Sequence, residues 1–254
     1  TNALLVGVIS GDTVSLSTAS LSATFPSKAV GNNRTITTSS NTISGGDAAN
    51  YSLVQPTLTA SITAKSLTVT GITANNRVYD SSTSATALLV KTTAALSGVM
   101  GGDTVTLDHS AATATFATKN IGSNKTVTIA GITIGGGDAG NYSLTQPSTT
   151  ASVTARNLTV TGITANDRVY NASPSATALL VKSSAALSGV QGSDNVTLDH
   201  SGATAAFATK NIGASKTVTI EGITISGTDA SNYTLTQPTT SASVTAKTLT
   251  VTGI

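Results

Sequence analysis

The sequence predicts an all-β chain of tandem immunoglobulin-like β-sandwich domains, each 91 residues long and arranged as a rod. Three observations predict it. Short runs alternate hydroxyl and aliphatic side chains, the period-two pattern of half-buried strands. The chain repeats itself at a spacing of 91 residues. One Asp-to-Tyr motif, Asp138-Ala139-Gly140-Asn141-Tyr142-Ser143-Leu144, recurs once per period in the order of an immunoglobulin corner.

The repeat comes first, because a fixed period dictates architecture. The run Gly71–Tyr79 recurs as Gly162–Tyr170, and 162 − 71 = 91. Phe25, Phe116 and Phe207 keep the same spacing, as do Tyr51, Tyr142 and Tyr233. The domains read as a partial repeat over 1–64, full repeats over 65–155 and 156–246, and at 247–254 the first strand of a following repeat. A solenoid coil is much shorter than this unit, so the repeats are beads rather than rungs. Thr1 aligns with Thr92, as expected of a window from a longer array.

Within 65–155, strands are expected near 66–71, 77–79, 85–90, 95–99, 104–109, 112–117, 125–134, 141–146 and 150–155. The first rests on Leu67-Thr68-Val69-Thr70, and the strand near 104–109 on Thr104-Val105-Thr106-Leu107. In the longest run, Val127 and Ile129 share one phase and Ile132 and Ile134 the other. The slip at Ala130-Gly131 predicts a bulge or bend. So many short strands in one unit point to a sandwich; a β-grasp-like repeat is the alternative fold. At the junctions, Ala151–Ala155 runs straight into Arg156–Val160 with no Gly/Ser linker, so the connection should be stiff.

The corner residues are Asp47 with Tyr51, Asp138 with Tyr142, and Asp229 with Tyr233. In immunoglobulin-like domains the Tyr hydroxyl of this motif bonds back to backbone and locks the corner.

Composition removes several function classes. Thr and Ser together supply 82 of 254 residues, charged residues only 9% and aromatics 3%. A net charge of +2 offers no basic surface for nucleic acid. No run of 18 apolar residues exists, so no membrane-inserting helix is expected. Cysteine is absent, which excludes disulfides and thiolate chemistry. The hydroxyl-rich, charge-poor composition suits a secreted or cell-surface location.

Leu67–Asp80, Leu96-Ser97-Gly98-Val99, Gly102-Asp103-Thr104-Val105 and Asp138–Pro147 resemble the YDG-type repeat. That repeat occurs in tandem in large secreted bacterial proteins, many of them filamentous-haemagglutinin-like adhesins. The resemblance covers essentially the whole chain. It implies a non-enzymatic, extracellular repeat region. It departs at Tyr79-Asp80-Ser81 and Tyr170-Asn171-Ala172, which lack the Gly of the naming motif, so a turn needing positive φ is expected to be built differently here.

Candidate chemistry is sparse. Asp108-His109-Ser110 and Asp199-His200-Ser201 hold the residue types of a catalytic triad, but adjacent strand residues face opposite ways and the first repeat has Ser17-Thr18-Ala19 there. No catalytic residue is expected. Asp103, Asp138, Asp194 and Asp229 recur and are candidates for Ca²⁺ at bead junctions. Ca²⁺ prefers six to eight oxygens, however, and Glu221 is the sole glutamate, so turn roles are favoured and no cofactor is expected. Asn33, Asn50, Asn124, Asn141, Asn157, Asn195 and Asn232 head glycosylation sequons. The Thr-x-Thr pairs Thr68/Thr70, Thr126/Thr128 and Thr159/Thr161 would suit ice or carbohydrate if stacked on one flat face; otherwise Thr is a good solvent-facing strand former.

The functional expectation is a non-enzymatic adhesin stalk. Its partners are other copies of the repeat, with any host or matrix receptor bound through regions outside this sequence. The alternative is a subunit or segment of a self-assembling extracellular filament. There the segment 247–254 of one chain completes the open first repeat of the next by strand addition.

Overall fold

The computed structural model describes residues 3–19, 21–38 and 41–253. Thr1, Asn2 and Ile254, where the first and last predicted segments begin and end, lie outside the described residues. The protein is all-β. Among the described residues, the helical elements are 3₁₀ turns of three residues each.

Two compact units form. One comprises Thr1–Thr70, Ala94–Ser110 and Ile132–Gln146; the other comprises Gly71–Thr93, Ala111–Gly131 and Pro147–Ile254. The second 91-residue repeat is therefore shared between them.

The third repeat lies wholly in the second unit and shows the architecture best. Its first strand, Arg156–Thr161, is the centre of a three-stranded sheet. Ala186–Ser188 flanks it antiparallel and Tyr233–Thr236 flanks it parallel. A four-stranded sheet runs in the order Arg168–Val169, Thr239–Thr245, Gly213–Glu221, Thr204–Phe207. Two-stranded ladders join Thr164–Ala165 to Leu180–Val181 and Thr197–Asp199 to Thr224–Ser226.

The period-two pattern explains these strands. In Arg156–Thr161, Leu158 and Val160 are buried while Thr159 and Thr161 face solvent. In Gly213–Glu221, Val218 and Ile220 are buried and Thr217 and Thr219 exposed. Val218, Ile220, Phe207, Ala242 and Val244 of the four-stranded sheet pack with Val160 and Ile163 into one core. Two cations lie over the Phe207 ring, the Arg168 guanidinium 5.0 Å and the Lys216 ammonium 5.4 Å from its centroid. Arg168 also donates to the carbonyls of Ser173 and Ser175, pinning that loop.

The first unit uses the same pairings. Lys65–Thr70 sits between antiparallel Ala95–Ser97 and parallel Tyr142–Thr145. Gly31–Thr38 sits between Ala23–Thr24 and Leu58–Ile62. Leu67 at the centre of the first of these sheets is fully buried.

Most expected strands are present in the second repeat; the two-residue strand Thr73–Ala74, paired with Leu89–Val90, was not expected, and two further details differ. The segment expected as a strand over 85–90 is a 3₁₀ turn, Thr86–Leu88, followed by the two-residue strand Leu89–Val90. The long run breaks as expected after Ala130, between Gly122–Ala130 and Thr133–Gly135. It also carries an unforeseen register shift between Gly122 and Lys125, where Asn124 has φ 49°.

At the naming motif Ser81 has φ 62° and Ala172 φ 65°, so side-chain-bearing residues hold a left-handed conformation that favours glycine.

Candidate functional site

The recurring aspartates converge in pairs. In the second unit, the ladder Thr197–Asp199 with Thr224–Ser226 brings the loop holding Asp194 beside the turn that starts at Asp229. The Asn195 N–H donates to Asp229 Oδ2 at 3.0 Å, and the Asp229 N–H donates to the Asn195 carbonyl at 3.2 Å. The two carboxylates then face one point in space.

Lys119 of the preceding repeat fills that point. Its Nζ lies 2.6 Å from Asp194 Oδ1 and 2.8 Å from Asp229 Oδ1. Two tyrosine hydroxyls donate to the other Asp194 oxygen, Tyr79 and Tyr233, each at 2.7 Å. The two rings meet edge to face with centroids 5.3 Å apart. Tyr233 Oη also accepts the Gln191 N–H at 2.9 Å. Next to Lys119, the Ile121 N–H donates to Asn232 Oδ1 at 3.0 Å. Asn232 and Tyr79 are almost fully buried. Two residues of repeat two, Tyr79 and Lys119, thus close on Asp194, Asp229, Asn232 and Tyr233 of repeat three.

The electrostatics are those of a satisfied ion cluster. The Asp194 side chain is 3% exposed. Burial pushes its carboxyl up, but the Lys119 ammonium and the two hydroxyls more than offset this, and it titrates below the usual aspartate range. Asp229 is held low by Lys119 and by the Asn195 N–H. Lys119 is raised by Asp194 and Asp229. Burial and the bond to Asp194 push the Tyr79 phenol up to about 12.

The first unit holds the same cluster one period earlier. Lys28 Nζ lies 2.6 Å from both Asp103 Oδ1 and Asp138 Oδ1. Tyr142 donates to Asp103 Oδ2 at 2.6 Å and accepts the Met100 N–H at 3.0 Å. The Val30 N–H donates to Asn141 Oδ1 at 2.9 Å. Asp12, Asp47 and Tyr51 repeat the acidic half: Tyr51 donates to Asp12 Oδ2 at 2.7 Å, and the Thr13 N–H donates to Asp47 Oδ2 at 2.8 Å.

This arrangement revises the sequence-based roles. Tyr51, Tyr142 and Tyr233 do bind backbone N–H groups, those of Ile9, Met100 and Gln191, but 42 residues upstream rather than at a local corner. The Ca²⁺ candidates Asp103, Asp138, Asp194 and Asp229 do gather at repeat junctions, but around an ammonium. Among the described residues, no three His, Asp or Glu side chains gather to hold a metal. Asp108 and Asp199 cap their own turns, accepting the Ser110 and Ser201 N–H groups at 2.8 Å. The side-chain carbonyl oxygens of the Asn141 and Asn232 sequons accept backbone N–H groups in the joints.

Sequence reasoning missed Lys28, Lys119, Tyr79 and the asparagine acceptors. Their signal was available: Lys28, Lys119 and Lys210 follow the 91-residue spacing in a chain with only 13 Lys and Arg. Among the described residues, no helix is long and apolar enough to cross a membrane.

The YDG domain family model matches residues 1–60, 63–151 and 154–242, so nearly the whole chain falls under three successive copies. No curated protein matches the chain.

Proposed function

The chain belongs to the YDG domain family, and from that premise we propose that it is a non-enzymatic structural repeat segment of a secreted or cell-surface adhesin, acting as a stiff stalk. One observation carries this reading: the Lys119–Asp194–Asp229 cluster, closed around the buried Asp194 side chain, ties one repeat to the next. Ala155 alone separates the strand Ser148–Thr154 from Arg156–Thr161, which leaves no flexible linker at that junction. A clamp plus a one-residue connection restricts rotation of neighbouring repeats, as a spacer under tension requires. Receptor binding is then the task of segments outside this sequence.

Electron microscopy of the native material, with the intact mass of its chain, tests the reading. Single thin particles whose length grows in proportion to repeat number support a stalk. Particles that fold back into compact clusters overturn it.

A further inference from the structure

We propose that Lys125 is a positioning residue for the joint: it holds the loop on both sides of Lys119 and so presents that ammonium to Asp194 and Asp229. The proposal deepens the stalk reading and rests on the Lys119 cluster being its clamp. Lys125 Nζ donates to the Thr118 carbonyl at 2.8 Å, to Thr118 Oγ1 at 3.2 Å and to the Asn120 carbonyl. An ammonium has three donors, and the residues flanking Lys119 supply three acceptors. On its other side the same loop meets repeat three, through Lys119 itself and through the Ile121 N–H on Asn232. Lys125 therefore links the interior of repeat two to the residues that reach repeat three.

Strand pattern alone would put an aliphatic residue at 125. The register shift after Gly122, where the exposed Ser123 and Asn124 follow one another, sets Lys125 in phase with the buried Val127 and Ile129. A charge on that face is unfavourable: burial and the neighbouring Arg77 hold the Lys125 ammonium below the usual lysine range. The surroundings are shaped to take it. The ammonium lies 5.6 Å and the Arg77 guanidinium 5.1 Å from the centroid of the Phe116 ring. Gly122 leaves room for the stem, since a Cβ there would meet Lys125 Cγ and Cδ at 3.2 Å. The arrangement recurs. Lys216 donates to the Thr209 carbonyl at 2.6 Å, to Thr209 Oγ1 at 3.1 Å and to the Asn211 carbonyl, on both sides of Lys210, and Gly213 clears its stem. In the first repeat Arg34 takes the position, donates to Ser27 Oγ at 2.7 Å beside Lys28, and has Gly31 against its stem. Each cation follows the lysine of its loop by six residues, since 125 − 119 = 6, 216 − 210 = 6 and 34 − 28 = 6. An aliphatic side chain would fill the core face at less cost, but it could not hold the loop carbonyls.

Thermal melting in a double-mutant cycle tests this, with Lys125→Met and Lys119→Met made singly and together in the 254-residue chain. Methionine keeps a flexible stem against Phe116 and removes the ammonium. The expected result is that the melting-temperature loss caused by Lys119→Met falls to about half or less once Lys125 is replaced by Met. It should return in full with Lys125→Arg, the side chain that the first repeat uses at this position. Losses from Lys119→Met and Lys125→Met that simply add overturn the positioning role and leave the clamp standing. A Lys119→Met chain that melts with the unmodified protein overturns the clamp and the positioning role together. Where Lys125→Met does not fold, Gly122→Ala replaces it in the cycle. That change keeps the charge, crowds the Lys125 stem and meets no positive φ, and the same two outcomes decide.

Discussion

Lys119 Nζ and Asp194 Oδ1 lie 2.6 Å apart although 75 residues separate them in the chain. The same separation joins Lys28 to Asp103. A contact at constant sequence distance in successive copies makes the repeat spacing itself a structural constraint. It also makes Lys119 a direct test of the joint. Lys119→Glu sets a third carboxylate against Asp194, whose side chain is nearly buried and loses its counter-ion. Lys119→Met keeps the stem and removes the charge. Both should lower the melting temperature, Glu more than Met. Lys28→Glu should do less, because Lys28 is 63% exposed and water screens it. A thermal scan in which Lys119→Glu melts with the unmodified protein sinks the clamp.

The two tyrosines on Asp194 differ in what they leave behind. Tyr233→Phe strips the Gln191 N–H of its acceptor as well as removing a bond to Asp194. It should cost about 1–3 kcal/mol, the usual penalty of an unpaired buried donor. Tyr79→Phe removes a donor to Asp194 and an acceptor for Lys119, but Asp194 keeps Lys119 and Tyr233 and Lys119 keeps its two carboxylates, so no group is left without a partner. It should cost less than Tyr233→Phe. Chemical denaturation of the two variants orders them, and the reverse order contradicts the hydrogen-bond assignment.

Strands and core were legible in the sequence because each strand carries its own period-two pattern. Leu158 and Val160 alternate with Thr159 and Thr161, and burial follows the alternation. The bend at Ala130-Gly131 was legible for the same reason, as a slip of phase. The joint was not. Local pattern places Asp194 and Asp229 in turns, which is true, but says nothing of a lysine 75 residues upstream. That contact depends on how one repeat meets the next, and only the common spacing of lysines and aspartates records it. The turn at Thr86–Leu88 was missed because short apolar runs read alike as strand or helical turn.

Acid should loosen the joints before the cores. Asp103, Asp138, Asp194 and Asp229 all titrate below the ordinary aspartate value of 3.8. A depressed folded value gives stability that is complete above the unfolded value and lost as pH falls through the folded one. The melting temperature should therefore decline as pH drops below about 4. At the alkaline end the sign reverses. Lys28, Lys119 and Tyr79 are raised, so their contribution is complete below the unfolded values and fades as pH rises past 10.0 for tyrosine and 10.5 for lysine. Calorimetry across pH checks both limbs. Lys119→Met should flatten them, and an acid limb of unchanged steepness in that variant counts against the cluster as its source.

The turn after Tyr170 is open to improvement, and the turn after Gly162 is not. Ala172 holds φ 65°, a conformation that costs a residue with a Cβ about 1–2 kcal/mol. Glycine relieves that strain but loses more chain entropy on folding, about 0.5–1 kcal/mol. Ala172→Gly should therefore stabilise by up to about 1 kcal/mol. Gly162 is the opposite case. Its φ is 77°, and a Cβ there would lie 1.9 Å from the Ser184 carbonyl oxygen, which belongs to backbone and has no rotamer to turn away. Gly162→Ala should destabilise by more than about 1 kcal/mol. Gly137 is the control, since its φ is not positive and a Cβ there meets nothing within 4 Å. Gly137→Ala should leave the melting temperature unchanged or slightly higher. If Ala172→Gly lowers stability instead, the strain at this turn is already relieved by contacts around Ala172, and the missing glycine of the motif carries no energetic penalty.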